Sequence, residues 1–293
     1  MIFPYSVDVP MQRLPIANWV LMAITIIVSL IMLRHQAQRK PADIIDQLDD
    51  ATIAEFERLE QLPAKEAERE QIKLMARFFA MPGSLNPRAF NPLQLVTYQL
   101  LHGDIWHLLG NMLFLFCFGN AVNARLGHIW FVGLYFVIGI LAGLAWLIMG
   151  SGVPLVGASG SIMGMLGIFL VFYPENEVDV FYMLFYTLGS FSVPSIMVIF
   201  AYLGLDLLGV LFSHNDIGGV AYICHLVGAF FGMLTGVLLL KTGVMDIGRG
   251  ERNILQMLGY QDDWEDRPIK KKKLNKKRMS VDVDSTDNLN QHH

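Results

Sequence analysis

IWFVGLYFVIGILAGLAWLIM, residues 129–149, contains no Asp, Glu, Lys, Arg, Asn or Gln. A bilayer core takes about 20 apolar residues per helical span, so this stretch is long enough to cross one. Similar runs stand on both sides of it. Six spans can be drawn, at about Ile16–Leu33, Ile105–Val122, Ile129–Met149, Ala158–Phe172, Val193–Phe212 and Gly219–Leu240. The pattern predicts an all-α fold, a polytopic membrane protein built as a six-helix bundle. Composition agrees. Of 293 residues 54% are hydrophobic and 16% charged, with a mean hydropathy of +0.44. Soluble domains average about 45–50% and about 25%. A soluble protein with a very apolar core is disfavoured, because the runs are too long and too many. Cys117 and Cys224 lie in separate runs and read as small buried hydrophobes, with neither disulfide nor metal spacing.

Outside the spans the chain divides into an N-terminal segment (1–15), the membrane domain (16–240) with a long first loop (34–94), and a polar basic tail (241–293). In the loop, Ile44, Ile45, Leu48, Ile53, Phe56, Leu59 and Leu62 recur at near-helical spacing, as do Ile72, Met75, Phe78 and Phe79. That predicts one or two amphipathic helices packed on the core or lying on lipid. Val178 to Phe191 is apolar but broken by Gly189 and Ser190, which suggests an interfacial or strand-like connection. The tail run Lys270–Lys273, Lys276, Lys277 and Arg278 has the composition of a disordered segment facing anionic lipid. With no aromatic residues interleaved, nucleic acid is not an expected partner. A cytoplasmic tail with six spans places the N-terminus in the cytoplasm too, and Arg125 then falls in an inner loop. Arg34, Arg39 and Lys40 conflict with this, but their loop is about 60 residues long, the length at which the positive-inside rule weakens.

Polar side chains inside spans are costly and therefore functional candidates. They are His107 and Asn111 in span two, Ser159 at the start of span four, Asp206 in span five and His225 in span six; His102 just precedes span two. Alternating spans put His107, Asn111, Ser159 and His225 in the same half of the bilayer. Gly157-Ala158-Ser159-Gly160 leaves the hydroxyl open to a substrate backbone at a helix start, where free N–H groups suit an oxyanion. A plain Ser N-cap explains those four residues equally well. His225 precedes Gly228 and Gly232, and span four carries Gly160 and Gly164. Small residues at that spacing let two helices meet backbone to backbone, bringing Ser159 and His225 within reach as nucleophile and base. His107 and Asn111, four apart, share a face and could donate to an oxyanion or simply bond each other across helices. A metal site from His102, His107 and His225 ranks lower, because no carboxylate has ligand spacing and Ser159 would go unexplained. Asp206 could orient His225, but a structural place facing the bundle or a watery cavity is favoured.

These residues resemble the rhomboid intramembrane serine proteases. The match is His102-Gly-Asp-Ile-Trp-His107-Leu-Leu-Gly-Asn111-Met112, then Gly119, Arg125-Leu-Gly127, Gly157-Ala-Ser159-Gly160 and His225-Leu-Val-Gly228. It covers about Pro92 to Leu240, and the first span looks like that of bacterial members. The resemblance implies a six-helix rhomboid-like bundle in a bacterial plasma membrane, with a water-filled cavity open to the outer side. It implies Ser159 and His225 as a catalytic dyad. His107, Asn111 and the Ser159 backbone N–H would form the oxyanion hole, while His102, Gly157, Gly160 and Gly228 are structural. Substrates would be transmembrane helices of other proteins, with no cofactor and no metal. A non-catalytic helix-binding protein on the same scaffold is the alternative, and a polar-solute or proton transporter a third class. Met163 stands where a tyrosine often stacks under the base, Leu93 and Gln94 replace a Trp-Arg pair, and Asn123 replaces a glutamate.

Overall fold

The computed structural model describes residues 2–38, 50–59, 61–64, 66–67, 70–71, 74, 80–150, 152–184, 187–212, 221–245 and 251–260. The chain divides into two compact units, residues 1–258, which hold every helix and strand described, and residues 259–293. The basic run of the tail, Arg39 and Lys40, Gly219 and most of the expected loop periodicity lie outside the described residues.

The expected bundle is present. Its apolar helices are α1 (Ile16–Ala37), α3 (Ile105–Leu126), α4 (His128–Met149), α5 (Ser159–Phe172), α6 (Ser195–Phe212) and α7 (Tyr222–Lys241). In the first loop lies α2 (Asp50–Leu59), where an amphipathic helix was expected. Five of the apolar helices are long enough to cross a membrane. The sixth, α5, has 14 residues, or roughly 21 Å at 1.5 Å per residue. It is short because it begins on the floor of a cavity, and every residue from Gly160 to Phe172 is buried in protein.

Helix α1 makes the solvent plain. Its buried residues include Asn18, Thr25 and Ser29, each with no exposed surface, while Ile27 and Ile31 are about 60% exposed. Polar side chains face inward and aliphatic ones outward. That arrangement suits hydrocarbon, toward which polar side chains do not turn.

Within α3 the turn Leu115–Gly119 widens to a π-helix, which frees backbone carbonyls. Asn18 of α1 answers one of them, donating Nδ2–H to the Leu115 carbonyl at 2.8 Å and to Asn120 Oδ1 at 2.8 Å. Asn123 Oδ1 accepts from the Asn18 N–H. Asn123, at the family's glutamate position, therefore belongs to a knot between α1 and α3. Gln94 likewise has work in the first loop, accepting from the N–H groups of Asn86 and Asn91 and donating to the Ala89 carbonyl.

The helices carry in addition a small antiparallel sheet in the order β1-β2-β3, from β1 (Ile2–Val7), β2 (Glu177–Leu184) and β3 (Thr187–Pro194). Ile2 pairs with Tyr182, Val7 with Val178, and Val178 with Val193. The strand-like connection was expected; its pairing with the N-terminal segment was not. Strand β3 consumes Val193 and Pro194, so α6 starts at Ser195, two residues later than drawn. The sheet leads out of the C-terminal end of α5 and into the N-terminal end of α1, opposite the end that holds Ser159.

Helices α5 and α7 make the tightest contact. A Cβ built on Gly228 would fall on the Gly160 carbonyl oxygen, and one on Gly232 on that of Gly164. The two small-residue faces meet as their spacing predicted.

Candidate active site

Helices α3, α5 and α7 run in the same direction, and their N-terminal ends open into one cavity of about 890 Å³. His107, Asn111, Ser159 and His225 all line it, with Met163, Tyr202 and Asp206. The four residues that alternating spans put in the same half of the bilayer thus face one cavity.

Each side chain is placed by its local sequence. Asp104 caps α3, its Oδ1 accepting from the N–H groups of Trp106 and His107 at 2.8 and 2.9 Å. That cap sets the first turn, from which His107 and Asn111 point the same way. Gly157 sits at φ +133°, a conformation L side chains rarely adopt. A Cβ there would also press on the His107 ring, 3.0 Å away, with Ser159 Oγ at 3.7 Å. The glycine thus lets His107 and Ser159 share one corner. Its N–H donates to the Tyr98 carbonyl at 3.0 Å, fastening the approach to α5. Ser159 is the first residue of α5, where backbone N–H groups lack intrahelical partners. Its Oγ makes no hydrogen bond among the described residues.

His225 is the fourth residue of α7, since that helix starts at Tyr222. The structure turns its Nδ1 toward α6, where both oxygens of Asp206 lie at 3.1 Å. Ser159 and His225 thus face one cavity, while the hydrogen bond the imidazole makes is to the carboxylate. Asp206, read from the sequence as either orienting His225 or holding a structural place, with the structural place favoured, lies against the ring.

His102 is fully buried. Its Nδ1 meets Ser29 Oγ at 2.9 Å and its Nε2 meets Asn111 Nδ2 at 2.8 Å. The Ser29 hydroxyl donates its proton to the Leu100 carbonyl, so it accepts from Nδ1–H. Nε2 then accepts from the Asn111 amide, whose second N–H is left for the cavity. Both ring nitrogens of His102 are engaged by protein, and the ring braces Asn111. Ser29 was missed by the sequence reading. The signal was available: a hydroxyl inside an apolar span needs a partner.

Burial pushes His102 down from its ordinary 6.5 to about 3, with His107 adding to that effect and Asp104 opposing it. The unfolded chain therefore binds up to one more proton than the folded one between pH 6.5 and about 3. Stability from this group is complete above pH 6.5 and is lost as pH falls toward 3. The slope should reach about 1.4 kcal/mol per pH unit. Thermal unfolding of detergent-solubilised protein from pH 7.5 to 4.5 checks it. The Tm should fall below pH 6.5, and His102→Gln should flatten that fall. An equally steep fall in the variant would assign it to other groups.

The fold and the site define an integral, multi-pass helical membrane protein with a cavity in its bundle into which a few polar side chains project. Residues 90–242 match the Rhomboid domain family, and the chain belongs to the rhomboid family. It is 31% identical over 150 residues to Rhomboid-like protein 11, chloroplastic, of Arabidopsis thaliana, covering 50% of this chain and 52% of that protein. It is 32% identical over 138 residues to Rhomboid protease GluP of Bacillus subtilis, covering 47% and 25%. An uncharacterized protein of Mycobacterium tuberculosis is 35% identical over 146 residues, covering 48% and 56%. The match thus spans about half or less of each relative's own length.

Proposed function

We propose that this protein is an intramembrane serine endopeptidase that cuts transmembrane helices of other membrane proteins near the outer face. Ser159 is the nucleophile and His225 its general base. His107, Asn111 and the Ser159 N–H hold the oxyanion. The reading needs no cofactor. It places the chain in a bacterial plasma membrane with both termini cytoplasmic, and the Bacillus relative is named a rhomboid protease.

One observation carries the proposal. A hydroxyl, an imidazole and two further hydrogen-bonding side chains line one cavity inside a bundle whose outer surface is apolar. Peptide hydrolysis needs water, and hydrocarbon excludes it. A helix of roughly 21 Å in a core of about 30 Å leaves its N-terminus some 9 Å below one surface, so an open cavity above Ser159 can be wet. A substrate helix must unwind to enter, because its own hydrogen bonds shield the scissile carbonyl. Once unwound, the carbonyl oxygen can accept from His107, Asn111 and the start of α5.

Activity-based labelling tests this. Purified protein in detergent should react with a fluorophosphonate probe at Ser159, and Ser159→Ala should not. Failure to label in detergent and in liposomes would instead favour a helix-binding protein on the same scaffold.

A further inference from the structure

We propose that Asp206 is a positioning residue for His225, so that the proposed serine–histidine pair works with a carboxylate behind it. The inference rests on the protease reading and deepens it. Asp206 is the one charged residue in α6. A carboxylate inside a membrane helix is costly, so its partner matters. That partner is His225 Nδ1, at 3.1 Å from both oxygens, with the two side chains 14% and 13% exposed.

The contact fixes the ring's tautomer. A carboxylate only accepts, so Nδ1 carries the proton and donates it. A neutral imidazole has one N–H, and its lone pair then sits on Nε2, as a base requires. Among the described residues the cavity lining contains no Lys or Arg, and its other carboxylate, Asp104, is engaged in capping α3. Met163 also lines the cavity, and a thioether offers an imidazole no directional hold. Asp206 supplies that hold from the side.

The consequence appears during reaction. Ser159 Oγ bonds to the scissile carbon while its proton passes to Nε2 and the carbonyl π pair moves to oxygen. The oxygen's pair then re-forms the carbonyl, leaving an acyl-serine, as the C–N pair departs with nitrogen and Nε2 returns that proton to the leaving amine. Water later hydrolyses the ester with the same ring as base. Between taking a proton and returning it the ring is an imidazolium, and the Asp206 carboxylate offsets its charge. Asp206 gains no proton at any point.

The test uses the full chain in liposomes with a transmembrane substrate. Asp206→Asn keeps the volume and an oxygen but removes the charge. It should lower kcat by on the order of 10²-fold or more, with KM nearly unchanged and fluorophosphonate labelling of Ser159 slowed in parallel. Asp206→Glu should recover most of the loss, because the charge returns. A mere staple between α6 and α7 predicts lowered Tm in both variants and no selective fall in kcat. Undiminished kcat in Asp206→Asn, with Ser159→Ala inactive, overturns this proposal alone. A wild-type protein that neither cleaves nor labels overturns it together with the protease reading.

Discussion

Ser159→Ala and His225→Ala should each reduce cleavage of a transmembrane substrate to background, a loss on the order of 10⁴–10⁶-fold. The double variant should be no worse than either single one. Nucleophile and base act as a unit: without Oγ there is no atom to form the acyl bond, and without the imidazole the hydroxyl stays protonated. Their effects on stability should differ. Ser159 Oγ makes no hydrogen bond among the described residues, so Ser159→Ala should leave the Tm unchanged. His225→Ala strands the Asp206 carboxylate in a low-dielectric setting, and an unpaired charge there costs a few kcal/mol. That variant should melt earlier, and its inactivity alone would be ambiguous. The decisive measurement is cleavage by Ser159→Ala in liposomes, with its Tm as control. Substantial cleavage by that well-folded variant would remove Ser159 from the mechanism.

Much of this was legible in the sequence because the solvent imposes it. Apolar runs of span length, and costly polar residues inside them, picked out the helices together with His107, Asn111, Ser159 and His225. The glycine spacing in α5 and α7 named the pair of faces that touch. What was not legible depends on long-range pairing. Nothing local in residues 2–7 says that they will hydrogen-bond to residues 178–182. The π-turn at Leu115–Gly119 depends on an amide, Asn18, from another helix. Asp206 and His225 are 19 residues apart on different helices, and only the rotation of α6 decides whether the carboxylate meets the ring. The start of α5, by contrast, was local and legible: the span was drawn from Ala158, one residue before the observed start at Ser159, and Gly157 at positive φ marks the boundary.

Gly232→Leu should cause the largest structural loss, about 3 kcal/mol or more, and abolish cleavage through a residue that touches no substrate. The argument is steric. A Cβ at Gly232 lands on the backbone carbonyl of Gly164, and one at Gly228 on that of Gly160. A side chain can often rotate out of a clash, but a helix carbonyl cannot move without its helix. Relief therefore requires α5 and α7 to separate. In lipid no hydrophobic force rejoins them, since tails solvate a leucine as well as protein does. Ser159 begins α5 and His225 lies two turns before Gly232, so separation also pulls the proposed nucleophile from its base. Gly133 and Gly204 provide the control, because a Cβ at either meets nothing within 4 Å. Gly133→Ala and Gly204→Ala should keep wild-type Tm and activity, while Gly232→Ala should fall between them and Gly232→Leu. Thermal unfolding and cleavage measured across the series read both consequences. If Gly232→Leu melted and cleaved like the controls, the close backbone contact between α5 and α7 could not be what holds the two halves of the site together.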